Sequence, residues 1–362
     1  MGRKISMEIT ANRKIANLAA LFLIIEPVGI SLALMVMTET FFTLFFLLFS
    51  LYAVKFLKLT NSKDIFGREG GQTLAASAFL LGIITLIKPV TLYLPIILAL
   101  GWIIYRFFSK QKLLLKYAAA FILIFIAVLS PWLYRNYKVF GAVIFSTSQE
   151  EVLFGYLAPS ILSKKNNQYF AQAQTDFFAS QGQKSFPDIN GVSARQFRKS
   201  AVEVIINNPK ESAQISGISL LSFFTHDGLL SPLGHLGMIK ATGLTVGKIL
   251  KLPPGEFYAT IKELFFSPAV LIILIRFLWF VISALFFSGA LYLLIKKKLT
   301  AAAVFALICV AYFALTTMAN GLAVNARFRF PVEAFIFIFA VSFVFDIING
   351  RRPKISGQES KY

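Results

Sequence analysis

Cysteine is almost missing from this chain: Cys309 stands alone, so no intramolecular disulfide can form. Histidine is nearly as scarce. His226 and His235 lie nine residues apart in a Gly- and Pro-rich stretch, which reads as two loop histidines rather than a metal site. The chain has no glycine-rich phosphate loop, no nucleophile elbow and no internal repeat, so no metal and no cofactor are expected. Acidic residues are few, 17 against 36 Lys and Arg. In a soluble chain the resulting net charge of +19 would suggest nucleic acid. Here the cations fall between long apolar runs, where they orient spans and meet anionic headgroups, so no nucleic-acid partner is inferred.

What is abundant is apolar. Hydrophobic residues make up 57% of the chain and include 39 Phe, a composition suited to lipid-facing helices. Windows of about 20 residues place spans near 15–36, 40–57, 72–87, 90–107, 115–131, 268–295, 299–319 and 330–348. The first run lacks a small-residue cleavage pattern and leads almost directly into a second span, so it is not a signal peptide. The expected class is an all-α polytopic membrane protein of about eight transmembrane helices with one large, mainly helical outer loop. Its divisions are 1–131, 132–266, 267–349 and a tail, 350–362.

Basic residues crowd every second junction: Arg3 to Lys14, Lys55 to Arg68, Arg106 to Lys116, Lys296 to Lys298, and Arg351 to Lys354. Short basic loops stay on the cytoplasmic side. Both termini are therefore expected to be cytoplasmic in a multi-pass plasma membrane protein, with residues 132–266 outside. The outer junctions then hold Glu26, Glu39, Lys88, Arg327 and Arg329. Cations in short outer turns run against the charge rule and need an explanation. Lys88 beside Pro89 can snorkel, and the two arginines can anchor the last span. Alternatively all three face one cleft and hold a lipid-linked phosphate, work suited to Arg forks and a Lys point charge.

Glu39 can complement the helix dipole beside a Thr38 cap. Glu26 precedes Pro27, which should bend or end its helix near the outer boundary. Arg276 is read as sitting at headgroup level, and no mid-membrane chain of carboxylates or histidines suggests ion coupling. Within the long loop, Trp132 to Tyr137 form an aromatic exit from the fifth span, and Phe154 to Ser160 read as an ordered turn. Helical patterns follow over 193–207, ended by Pro209, then 211–224 and 255–266, the last with Phe257, Ile261, Leu264 and Phe265 facing apolar surroundings. Such helices suit the membrane surface or a lid over a lipid-accessible cleft.

Five strings, in order, carry a resemblance: VMTETFF at 36–42, LGIITLIKPV at 81–90, SPWLYRNYKVFGAVIFST at 130–147, LFGYLAPSIL at 153–162 and ARFRFPVEAF at 326–335. They resemble the polytopic glycosyltransferases of family 39, which are similar to the protein O-mannosyltransferases and lipid A aminoarabinose transferases and share the C-type glycosyltransferase fold. The resemblance implies transfer of a sugar from a polyprenyl-phosphate donor, on the outer face, to a lipid, glycan or protein acceptor. It maps an acidic outer-junction residue onto Glu39, a basic-Pro turn onto Lys88 and Pro89, and the last outer turn onto Arg327, Arg329 and Pro331.

The family also places a catalytic Asp in a first outer loop that precedes everything matched here. The resemblance therefore implies an incomplete enzyme of low activity. Displacing a polyprenyl phosphate needs a carboxylate to take the acceptor's proton and cations to hold the leaving phosphate. Lys88, Arg327 and Arg329 are expected to hold the phosphate, with Glu39 the candidate base and Glu26 a weaker one. The alternative is a noncatalytic lipid-glycan carrier or assembly partner.

Overall fold

The computed structural model describes residues 1–34, 38–59, 67–108, 115–187, 189, 193–229, 233–234, 236–238, 253–268, 270–322 and 326–350. His235, Lys63, Lys110, Lys112 and the tail from Arg351 lie outside them. The described residues are helical with no strand. Seven helices are long and apolar enough to cross a membrane, and the bent pair Arg13–Ile25 and Pro27–Ala33 makes an eighth if counted as one span. The chain is an all-α, multi-pass membrane protein.

Helix α1 (Gly2–Thr10) buries Ile5 and Ser6 and packs on α2 (Arg13–Ile25). Asn12 caps α2 by accepting from the backbone N–H of Lys14 and Ile15. The next residues break the helix as their chemistry requires. Glu26 is extended, Pro27 opens α3 (Pro27–Leu34), and the two helices meet at 55°. The first long spans are α4 (Thr38–Leu59) and α5 (Arg68–Ile87), with Glu39 in the first turn of α4 and Lys58 in its last, each complementing the helix dipole. Lys58 also reaches back 2.5 Å to Glu8 of α1.

A turn of 3-10 helix (Pro89–Thr91) leads into α6 (Leu94–Phe108), and α7 (Leu115–Phe140) follows. Trp132 to Tyr137, expected to leave the fifth span, continue its helix past Pro131 to Phe140. The end of the bundle from which residues 141–268 extend is called here the loop side.

Beyond Phe140 the chain builds α8 (Ser148–Val152), a π-helical turn (Leu153–Leu157), α9 (Ala158–Lys165), α10 (Phe170–Ser180), α11 (Ala194–Asn207) and α12 (Pro209–Thr225). Residues 154–160 are thus helical and not the expected turn. Pro159 lies within this continuous helical run, and the Gly155 carbonyl that its missing N–H leaves free accepts from Gln174 Nε2 at 2.6 Å, while Phe154 is the centre of a core. Its ring lies 4.6 to 5.5 Å from those of Phe177, Phe178 and Phe197. The helices expected over 193–207 and 211–224 are present.

Helix α13 (Pro254–Phe265) matches the third; of the side expected to be apolar, Ile261 is partly buried, while Phe257 and Phe265 are 36% and 57% exposed. The last spans are α14 (Val270–Ile295), α15 (Ala301–Met318), and α16 (Ala326–Arg329) continuing through a 3-10 turn into α17 (Glu333–Gly350).

Position in the bundle follows side-chain burial. Helix α15 is central, with 61% of its apolar window buried, and α7 is peripheral at 11%. Phe42, Phe46, Phe313 and Phe335 interlock at the centre, Phe46 meeting Phe313 edge-on at 5.2 Å. Gly289 lets α14 approach α17 closely, because a Cβ there would lie 2.7 Å from the carbonyl oxygen of Phe339. The loop segment is seated on the bundle by polar latches. Ser219 Oγ donates to the Gly321 carbonyl, Ser160 Oγ accepts from Leu322 N–H at 3.0 Å, and Ser283 Oγ donates to the Phe224 carbonyl at 2.7 Å.

Candidate functional site

Lys88 ends α5 because it precedes proline, which drives it into extended backbone at φ −141° and ψ 120°. A hydroxyl pair, Thr85 with Thr91 at 2.8 Å, staples the turn below it. From that turn Lys88 Nζ reaches Glu39 Oε1 at 2.6 Å, 49 residues away in sequence. The carboxylate is buried, its side chain 4% exposed, while the ammonium is 23% exposed and lies 6.0 Å from the Phe42 ring. Glu39 Oε2 accepts a long bond from Thr38 Oγ1, 3.4 Å. Arg327 acts electrostatically on both partners, is itself exposed, and stands 5.0 Å over the Phe328 ring. Three of the five expected site residues are therefore neighbours at the loop side.

Arg329 and Glu26 form a second group. Arg329 is wholly buried: Nε donates to Glu333 at 3.0 Å, Nη1 donates to the Phe223 carbonyl at 2.8 Å, and the guanidinium stacks on Trp279. A phosphate outside the protein cannot reach it without displacing these partners. Glu26 Oε2 accepts the Gly29 N–H at 2.6 Å, which makes it the cap of α3. Glu26 Oε1, Glu333 Oε2 and Arg329 Nη2 are buried with no hydrogen-bond partner among the described residues.

The second group continues into the loop segment. Asp227, fully buried, accepts from Arg276 Nε at 3.0 Å and Nη2 at 2.6 Å, and from Leu229 N–H at 2.8 Å. Arg276, expected at headgroup level, is half of an ion pair. Gly228, at φ +71°, fits against Val28 and Ala326 where a Cβ would collide. His226 accepts the Gly228 N–H on Nδ1 at 2.9 Å. Burial holds its pKa below the usual 6.5; Asp227 opposes that effect and Arg276 adds to it.

Glu333, Asp227 and the partnership of Arg276 were missed in the sequence. Glu333 had a visible signal, since it stands four residues after Arg329, the spacing at which helical charges pair. Asp227 had none, lying 49 residues from its partner.

A cavity of about 360 Å³ opens beside the first group, between the turn at Leu86 and Pro89, the end of α7, and residues 144–147. Among the described residues no cluster of His, Cys, Asp and Glu could hold a metal ion. Comparison with protein-family models, curated proteins and solved structures finds no match to this chain.

Proposed function

We propose that this chain acts on polyprenyl-phosphate-linked sugars as a membrane glycosyltransferase of the C-type, family 39-like kind, with both termini cytoplasmic and the loop side facing out. The observation that carries this reading is the Glu39–Lys88 pair with Arg327 beside it. A buried carboxylate and two cations meet at the end of the bundle, where a lipid-linked phosphate would arrive. Lys88 and Arg327 take the phosphate, and Arg329 holds the wall behind them. Before the donor binds, Lys88 neutralises Glu39. A phosphate bound to Lys88 competes for its N–H donors and frees the carboxylate.

In the transfer step the acceptor hydroxyl gives its proton to Glu39 and its oxygen bonds to the anomeric carbon. The bond from that carbon to the phosphate oxygen breaks, and the electron pair leaves on polyprenyl phosphate, stabilised by the two cations.

The test supplies polyprenyl-phosphate sugars and a lipid or peptide acceptor to the purified chain in nanodiscs. Turnover lowered about 100-fold or more by Glu39→Gln, with donor binding lost in Lys88→Ala, is the expected result. Donor binding without turnover identifies a noncatalytic lipid-glycan carrier. Turnover indifferent to both substitutions overturns the site.

A further inference from the structure

Helices α6 and α7 are held to the bundle by different neighbours. Gly101 lets α6 close on α15, since a Cβ there would lie 2.3 Å from Ile308. Gly82 lets α5 receive α7, since a Cβ there would lie 2.6 Å from Val128. Between α6 and α7, at the end away from the loop side, a groove remains. Its floor is buried and comes from Ala53 and Phe56 of α4, Leu74 of α5 and Phe305 of α15. Its rim is half-buried, with Trp102 and Tyr105 of α6 facing Tyr117 and Ala118 of α7.

The groove is dry by construction. Ser77, a hydroxyl in the floor, donates to the Leu74 carbonyl of its own helix at 2.8 Å. A trapped water needs about two to four polar partners, which this floor does not offer, and an empty groove forfeits dispersion contacts. The enclosed space is about 90 Å³, well under the roughly 300–1,000 Å³ of sites that hold a whole small molecule. It therefore suits an occupant that enters in part and stays mostly outside. Along α6 the wall runs from Leu98 to Tyr105, about 10 Å of helix. A single hydrocarbon chain from the surrounding bilayer meets both conditions.

Charge at the rim selects the headgroup. Trp102, Tyr105 and Tyr117 are of the types that gather at a membrane boundary. Cations adjoin that level: Lys58 follows Leu57, Arg106 follows Tyr105 and Lys116 precedes Tyr117, and each of these three neighbours lines the groove. Lys58 is engaged by Glu8 at 2.5 Å. Arg106 is 3% exposed with its guanidinium carbon 5.8 Å from the Trp102 centroid, and Lys116 Nζ stands 5.2 Å from that of Tyr117. Among the described residues no carboxylate lines the groove. A headgroup above the chain thus meets positive charge, which favours an anionic lipid.

We propose that this groove holds one acyl chain of an anionic glycerophospholipid drawn from the leaflet opposite the loop side. The orientation proposed above makes that leaflet the cytoplasmic one. The site lies at the other end of the bundle from the Glu39–Lys88 pair and does not depend on the transferase reading.

The test dopes phosphatidylglycerol carrying a diazirine near the end of one acyl chain into phosphatidylcholine nanodiscs that hold the full chain. After irradiation, labelled positions are mapped by peptide mass spectrometry. Labels are expected on Ala53 and Phe305, which are buried in the bundle and reached by a lipid through the groove. Unlabelled phosphatidylglycerol should compete about fivefold better than phosphatidylcholine, the weight of roughly one cation at the surface. Lys116→Gln should bring that ratio towards one, and Ala118→Phe should abolish the floor labels by filling the rim. Melting temperature checks that each variant is folded, and Ala99→Phe blocks the groove from the α6 side should Ala118→Phe unfold.

Labels confined to lipid-facing residues such as Leu123 and Ile126 would overturn the site. So would floor labels that persist in a folded Ala118→Phe or Ala99→Phe protein, equal competition by phosphatidylcholine, or stronger competition by farnesyl phosphate, which would make this an isoprenoid groove. Lys88→Ala, which removes donor binding in the proposed function, should leave the labelling unchanged, so either reading can fail without the other.

Discussion

The guanidinium carbon of Arg329 lies 3.4 Å from the ring centroid of Trp279, and neither side chain reaches the surface. Stacked on the indole and bonded to Glu333 and to the Phe223 carbonyl, Arg329 joins α14, α17 and the end of α12 at one point. A cation so enclosed is a structural centre of the loop side.

Removing one partner there leaves the other charge buried alone. Arg329→Ala or Glu333→Ala is expected to cost roughly 3–5 kcal/mol. Replacing both, as Arg329→Met with Glu333→Leu, is expected to lose less than the sum of the single losses. Thermal unfolding of the four proteins in one detergent measures the coupling, and additive losses would contradict the pairing.

Asp227 predicts a local effect. Asp227→Asn keeps the shape but removes the charge that holds Arg276, and should cost about 1.5–3 kcal/mol. Hydrogen exchange should rise first at Gly228 and Leu229, whose N–H groups bond His226 and Asp227. Unchanged protection there would show that the pair does not hold the segment.

His226 makes the same segment sensitive to acid. Its folded pKa is depressed by burial, so below 6.5 the unfolded chain binds a proton that the folded chain resists. The stabilisation is fully present above pH 6.5 and falls as pH drops from there towards the folded pKa. Protonation also removes the Nδ1 lone pair that accepts the Gly228 N–H. Melting temperatures recorded from pH 7.5 to 5 should fall more steeply in the native chain than in His226→Gln.

Two glycines on helices should respond oppositely to one methyl group. Gly217 in α12 has nothing within 4 Å of a Cβ, so Gly217→Ala should stabilise by about 0.4–1 kcal/mol. Gly289→Ala drives its methyl into the Phe339 carbonyl and should destabilise by about 1–3 kcal/mol. Paired melting curves decide this, and equal shifts would deny the close crossing of α14 and α17.

The proposed orientation is open to labelling because the native thiol, Cys309, is buried. Ser185→Cys, exposed on the loop side, should react with an impermeant maleimide in intact cells, and Lys298→Cys should not. The reverse pattern would invert the topology.

The spans were legible because each is an uninterrupted apolar run, and Pro27 announced its own bend. Glu39 and Lys88 could be placed on one side of the bundle from charge alternation. Their contact could not, because it depends on α4 packing against α5. Arg329 was grouped with Lys88 because both are cations at loop-side turns, although Glu333, one helical turn on, was the better clue to its surroundings. The turn expected at Phe154 followed Gly155 and Pro159, while the decisive fact was the company Phe154 keeps with three rings far along the chain. Asp227 and Arg276 illustrate the limit: nothing local marks a partner 49 residues distant.

The latches at Ser160 and Ser219 bear on biosynthesis. Both grip the backbone at 321–322, which lies 162 residues beyond Ser160 and 102 beyond Ser219. The Phe154 core draws on residues made within about ten seconds of one another and can close early, since elongation runs at about 5–20 residues per second. Part of its seat comes with α14, through Arg276 and Ser283, but the grip at 321–322 does not exist until the penultimate span has emerged. The segment between α7 and α14 must therefore wait half-docked, and a ribosome stalled before residue 321 would leave Ser160 and Ser219 without their backbone partners.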